Sequence, residues 1–165
     1  MKRSLPGIAG RRAQRQGPLR LAAPRFARDS LAPASATHPG PVYGIGVDIL
    51  RESRIEKIWA RHGQRLAEKI LADQERAALA DARHPVRFLT KAFAAKEACV
   101  KALGSGFEGV GYHDIATLRD ARGKPLLVFS PRLRQQLHRL GVAGGHVSLS
   151  DEGGLVCAMV VLERL

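Results

Sequence analysis

The chain has 165 residues, with 27 Lys+Arg against 15 Asp+Glu, a formal net charge of +12 and 45% apolar content. This length suits one domain with a core of its own, and no apolar run approaches the ~18 residues of a membrane-spanning helix. Two cysteines, Cys99 and Cys157, are too few for a disulfide scaffold or a closed zinc site, so a reducing cytoplasm is the expected compartment.

In chain order, residues 1–41 stand apart. They carry eight basic groups (Lys2, Arg3, Arg11, Arg12, Arg15, Arg20, Arg25, Arg28) and a single acid, Asp29, which is +7 of the +12. Six of the nine prolines also fall here, so the segment lacks a sustained apolar period. Such a stretch buries too little surface to offset its ordering entropy, and a disordered basic Pro/Arg-rich extension is expected. It has no apolar core of a secretory signal. Its Arg-rich, acid-poor make-up fits a transit peptide, a nucleic-acid arm or a tail added by an upstream start codon.

From residue 42 the texture changes. Val42 to Ile49 is β-branched and glycine-punctuated, which predicts a strand. Helices are predicted over Arg51–His62 (stopped by Gly63), Gln64–Leu71 and Asp73–Ala82, with Asp73 as N-cap of the third. His84-Pro85 breaks the chain before a long helix, Val86–Leu103, capped by Gly104. Strands follow at Ile115–Leu118 and Leu126–Phe129. Ser130-Pro131 opens a helix to Leu140, and Asp151-Glu152-Gly153-Gly154 turns between strands His146–Ser150 and Leu155–Leu162. Helices first and strands later predict an α+β domain over 42–165 on a largely antiparallel sheet.

The densest chemistry lies in Phe93-Ala94-Ala95-Lys96-Glu97-Ala98-Cys99-Val100-Lys101-Ala102-Leu103-Gly104-Ser105-Gly106. On a helix Glu97 and Lys101 share a face and Lys96 lies about 100° round. A solvated ion pair would explain an arbitrary Lys-Glu-x-x-x-Lys, but small and apolar neighbours make this face an improbable idle surface. The glycine loop could present backbone N–H groups to an anion, and a carboxylate beside lysines suits a divalent cation plus phosphate. Asp48, ending the first strand, is open to two readings: the partner metal ligand, or the N-cap of the next helix. Gly44-Ile45-Gly46 lacks the third glycine of a dinucleotide fingerprint, and His113, His138 and His146 are scattered and read as structural.

Gly44-Ile45-Gly46-Val47-Asp48-Ile49, Arg54-Ile55-Glu56, the Phe93–Gly106 block, Gly123-Lys124-Pro125 and His146-Val147-Ser148-Leu149-Ser150 together resemble, in the right order, the holo-[acyl-carrier-protein] synthases. These are the small bacterial class of 4′-phosphopantetheinyl transferases. The resemblance spans Val42 to Leu165 and implies that family's fold. It implies transfer of phosphopantetheine from coenzyme A to a serine of apo-acyl carrier protein, leaving adenosine 3′,5′-bisphosphate, in support of fatty acid biosynthesis. It places Mg²⁺ or Mn²⁺ on Asp48 and Glu97, and the coenzyme A phosphates on Lys96, Lys101 and Gly104-Ser105-Gly106. Glu97, through a water, is the implied base, with Lys101 as its rival. A homotrimer is implied too, in which Lys124 and Pro125 of a neighbour complete the pocket.

Two positions depart from the family's common pattern. Ala92 stands where arginine is frequent, with Lys91 and Arg87 as the cations at hand, and Asp151 follows Ser-x-Ser where many members carry histidine. Arg51, Arg54, Lys57, Arg61 and Arg65 form one basic stripe if the helix runs on past Gly63, and the implied acidic carrier protein would dock there. A basic nucleic-acid-binding module is the competing reading of the pI near 10.8. The concentration of charge in the extension, with no aromatic nucleic-acid motif in the domain, argues against it.

Overall fold

The computed structural model describes residues 40–165. The extension expected over 1–41 therefore lies outside the described residues except for Gly40 and Pro41, and the Pro41 carbonyl accepts the Arg164 N–H at 2.7 Å. The elements are β1 (Val42–Arg51), α1 (Glu52–His62), α2 (Gln64–Ile70), α3 (Asp73–Ala80), α4 (Pro85–Leu103), a 3₁₀ turn (Tyr112–Asp114), β2 (Ile115–Arg119), β3 (Pro125–Phe129), α5 (Pro131–Arg139), β4 (Val142–Glu152) and β5 (Leu155–Arg164). β1, β5 and β4 form an antiparallel sheet in that order; β2 and β3 form a separate antiparallel hairpin.

Most elements fall where the sequence places them. Ser130 caps α5 by accepting the Leu133 N–H at 3.1 Å, and Gly153 and Gly154 turn between β4 and β5 with φ of 55° and 77°, as a two-residue hairpin requires. β1 runs on to Arg51, and β4 covers Val142–Glu152 rather than His146–Ser150, so Asp151 and Glu152 are strand and only Gly153-Gly154 turns; α3 differs at its start. Its N-cap is Ala72, and Asp73 sits one residue inside the helix, paired with Arg76. The capping carboxylate comes from Glu75, which accepts the Ala72 N–H at 3.0 Å.

α4 lies across one face of the three-stranded sheet. Ala94, Ala95, Ala98 and Ala102 are buried there, against Val156, Ala158, Val160 and Leu162 of β5. On β1 the inward residues are Gly44, Gly46, Asp48 and Leu50, spaced by two as the pleat demands. A Cβ on Gly44 would lie 2.1 Å from the Ala102 carbonyl oxygen, and one on Gly46 would lie 2.0 Å from that of Ala98. Helix backbone rests directly on strand backbone at these points. Among the described residues nothing covers the other face of the sheet: Ile45 and Ile49 are more than 60% exposed, with Val47 and Met159 between them.

Because α4 backbone cannot yield, Gly46→Ala should separate β1 from α4 and cost about 3 kcal/mol. Gly144, with open space around its Cβ position and no positive φ, provides the matched control. Urea melts should show a large fall in midpoint for Gly46→Ala and almost none for Gly144→Ala; equal midpoints would contradict the close-approach account.

Candidate active site

Asp48 follows the two glycines in the inward series of β1, and on α4 it meets Lys101, with Glu97 nearby. Side chains on a helix lean toward its N-terminus, so Lys101 runs back one turn alongside Glu97. Its ammonium donates to the Asp48 carboxylate at 2.8 Å and to the Val47 carbonyl at 3.0 Å. Asp48 is not a helix cap, since the N-cap of α1 is Arg51; its carboxylate meets α4 instead. Glu97 is 6% exposed. Its carboxyl is held above the usual range, first by burial and next by the nearby Asp48 charge, while Lys101, Arg54 and a hydrogen bond from Tyr112 pull the other way.

Two carboxylates forced together on packed elements, with cations beside them, are a hard oxygen-donor pair. Such a pair fits Mg²⁺ or Mn²⁺, which take one or two carboxylates and complete their shells with water and phosphate. Among the described residues no cluster of three or more His, Cys, Asp or Glu forms.

Lys96 requires a correction. It faces away from the carboxylate pair and is wholly buried. Its ammonium donates to Glu75 at 2.6 Å, to the Tyr112 carbonyl at 2.9 Å and also to the Ile115 carbonyl, which uses all three of its protons. Burial pulls its pKa down against the opposing pull of Glu75. It has no donor left for a phosphate. Glu75 is equally committed, accepting from Ala72 N and from Thr117 N at 2.8 Å. The pair ties α3, α4 and β2 together from the inside.

Gly104, Ser105 and Gly106 form the loop after α4, with φ of 76° at Gly104 and 58° at Gly106. The Gly104 N–H closes the helix on the Lys101 carbonyl at 3.1 Å and is spent there. Lys124 and Pro125 belong to the separate β2–β3 hairpin, where Lys124 N donates to Asp120 at 2.9 Å.

The basic stripe is broken. Gly63 takes φ 48° and ψ −129° and ends α1, so Arg65 lies on a second helix and Arg51 on β1. Lys57 and Arg61 remain exposed on one face of α1, whereas Arg54 acts electrostatically on Glu97 and Tyr112 and so borders the site itself. The cations beside Ala92 are engaged: Lys91 pairs with Asp151 at 2.5 Å, and Arg87 with Glu52 at 2.9 Å.

The sequence reading missed Tyr112. Its phenol is pushed up to about 12, first by burial and then by its interaction with the Glu97 carboxylate. An aromatic a few residues after a glycine loop carries no motif; only the fold brings it back over α4. Cys99, on α4 itself, is buried, and desolvation pushes its thiol up to about 12, which disfavours the thiolate.

Residues 44–159 match the sequence pattern of the 4′-phosphopantetheinyl transferase superfamily. Over 124 residues the chain is 48% identical to the holo-[acyl-carrier-protein] synthase of Thiobacillus denitrificans, covering 74% of this chain and 95% of that one. The crystal structure of the Neisseria meningitidis holo-[acyl-carrier-protein] synthase superposes with a TM-score of 0.73 at 40% identity, over 74% of this chain and 99% of the other. A Bacillus anthracis holo-(acyl-carrier-protein) synthase, solved in complex with CoA (3′,5′-ADP), is 33% identical with a TM-score of 0.64, over 76% of this chain and all of the other.

Replacing Glu75 by Gln keeps its volume and strands the Lys96 charge. Loss of one partner of a buried pair costs about 3–5 kcal/mol, and a drop of that size is expected in chemical denaturation of Glu75→Gln. A change under about 1 kcal/mol would mean that Lys96 is not held as an ammonium by Glu75.

Proposed function

The chain belongs to the 4′-phosphopantetheinyl transferase superfamily, and on that footing we infer that it works as a holo-[acyl-carrier-protein] synthase. It moves 4′-phosphopantetheine from coenzyme A to a serine hydroxyl of apo-acyl carrier protein. The serine oxygen attacks the phosphorus that carries pantetheine, the bond to the nucleotide's bridging oxygen breaks, and adenosine 3′,5′-bisphosphate leaves. The observation that carries this reading is the meeting of Asp48, Glu97 and Lys101 on β1 and α4.

The work of the protein groups follows from their places. Phosphoryl-type transfer rests on positioning and charge stabilisation more than on covalent help from the protein. Asp48 and Glu97 are the residues that would hold Mg²⁺, which when bound neutralises pyrophosphate charge. Lys101, already anchored on Asp48, offers its remaining proton to phosphate oxygens. Glu97, a carboxylate whose proton affinity is raised by burial and by Asp48, accepts the serine proton through a water. Gly106 and Ser105 backbone groups lie at the end of the same helix, on the side where the nucleotide would run. The exposed Lys57 and Arg61, with Arg65 and Arg51 flanking, give the acidic carrier protein its approach. In the proposed setting, a reducing cytoplasm, Cys99 and Cys157 stay free thiols.

We also infer a homotrimer, supported by the uncovered sheet face. Ile45 pairs across with Val161, Val47 with Met159 and Ile49 with Cys157, so the apolar outward residues of β1 and β5 form one continuous patch. His146, Ser148 and Ser150 of β4 give it a polar margin. A patch of this kind on a small domain is suited to association, and on the family resemblance Lys124 and Pro125 of one copy would complete a neighbour's pocket.

Apo-acyl carrier protein incubated with coenzyme A, Mg²⁺ and this protein should gain one phosphopantetheine on serine, read by intact mass. Glu97→Gln should lower the rate by about 100-fold or more, and Arg61→Glu should raise KM for carrier protein while leaving KM for coenzyme A unchanged. No mass gain with wild-type protein would sink the reading. Separately, light scattering should give a trimer mass for wild type and a monomer mass for Met159→Glu; a wild-type monomer would refute the assembly.

A further inference from the structure

Tyr112 is built into the molecule more firmly than an aromatic in a connecting segment needs to be. Its ring stacks on Phe93, centroids 5.6 Å apart and planes 26° from parallel, and also meets Phe107, centroids 4.3 Å apart and planes tilted by 41°. Its carbonyl accepts from Lys96 at 2.9 Å, and Lys96 is fixed by the buried Glu75. Two residues on, Asp114 accepts the Gly111 N–H at 2.7 Å and the Ser130 hydroxyl at 2.6 Å, and it pairs with Arg132. Ring and backbone are therefore both clamped.

The clamp has a direction. Phe93 and Glu97 are one helical turn apart on the same face of α4. The stack on Phe93 lays the phenol over α4 one turn from Glu97, and the Tyr112 hydroxyl and the Glu97 carboxylate each shift the other's proton affinity. Glu97 has three rotatable bonds and two competing cations before it, Lys101 and Arg54. Left to itself it would swing to either. A neutral donor held in place by two rings takes one carboxylate oxygen out of that competition without adding charge.

We propose that Tyr112 is a positioning residue for Glu97, holding its carboxylate turned toward Asp48 so that the two acids present a ready pair to a divalent cation. The proposal rests on the reading of Asp48 and Glu97 as the cation pair, and the two can fail separately. Outer-sphere partners of metal-binding carboxylates are commonly worth ~10–100-fold in affinity. Lys96 and Glu75 then serve the site at one remove, by fixing the backbone from which Tyr112 reaches.

The test is Mn²⁺ titration followed by electron paramagnetic resonance, with coenzyme A present and carrier protein absent, on wild type, Glu97→Gln and Tyr112→Phe. The Phe variant keeps both ring contacts and removes only the hydroxyl, so its thermal midpoint should stay within about 2 °C of wild type. The expected result is roughly tenfold weaker Mn²⁺ binding in Tyr112→Phe, an unchanged KM for coenzyme A and near-complete loss of binding in Glu97→Gln. Wild-type affinity in Tyr112→Phe beside loss in Glu97→Gln would overturn the role of Tyr112 and leave the cation pair standing. Equal binding by all three proteins would overturn both. A midpoint several degrees lower in Tyr112→Phe, with full Mn²⁺ affinity at low temperature, would make the hydroxyl structural and also overturn the proposal.

Discussion

The contact of α4 with β1 is closer than side chains would allow, and the site exists because of it. At Gly44 and Gly46 the strand has no Cβ to keep the helix away, and the helix answers with Ala98 and Ala102. Beyond the glycines the same inward-facing series continues with Asp48, which therefore enters at backbone-contact distance from α4, where Glu97 and Lys101 wait one turn apart. A bulkier strand would have lifted Asp48 away from both. The glycines thus act on the chemistry through geometry, setting the separation of two carboxylates that come from distant parts of the chain.

Neighbours in sequence have opposite duties here. Lys96 and Glu97 are adjacent, but about 100° of helical rotation sends one into the core and the other to the site. A lysine with no solvent exposure is costly unless its charge is fully met, and this one is met by Glu75 and two carbonyls. The arrangement explains why so polar a segment can run through the centre of the domain. It also shows why phosphate chemistry was wrongly extended to Lys96: lysine beside glycine loop is a pattern of residue types, and the side to which the helix turns each one depends on what the sheet and α3 offer.

The elements were legible from periodicity and turn chemistry. Val42-Tyr43-Gly44-Ile45-Gly46-Val47 read as a strand, Gly63 and Gly104 as helix ends and Gly153-Gly154 as a hairpin turn, because those signals are local. The cap of α3 was misplaced for a non-local reason: Glu75 is recruited by Lys96 from another helix and caps Ala72 on its way. Within the candidate site, Glu97 and Lys101 stood out by residue type and spacing, whereas Asp48 was open to a cap reading and was singled out only by the family resemblance; the structure brings Lys101 onto Asp48 beside Glu97. Tyr112 and the position of Arg54 beside Glu97 were not legible, since each depends on where a loop or helix returns in space. The basic stripe failed at a single torsion, the positive φ of Gly63, which ends one helix and redirects the next.

β1 carries one further consequence. Its even-numbered residues from Gly44 to Leu50 turn to α4, and its odd-numbered ones, Ile45, Val47 and Ile49, turn to the open face. A strand cannot shift one set without the other, because a slip of one residue exchanges the faces entirely. Asp48 and the apolar patch are therefore fixed by the same register against β5, in which Asp48 lies opposite Ala158 and Val47 opposite Met159. Under the association proposed above, contacts at Val47 and Met159 would bear directly on the strand that holds Asp48. Association there would stiffen β1 against α4, so that assembly and the presentation of the carboxylate pair become one mechanical problem with one solution in the sequence.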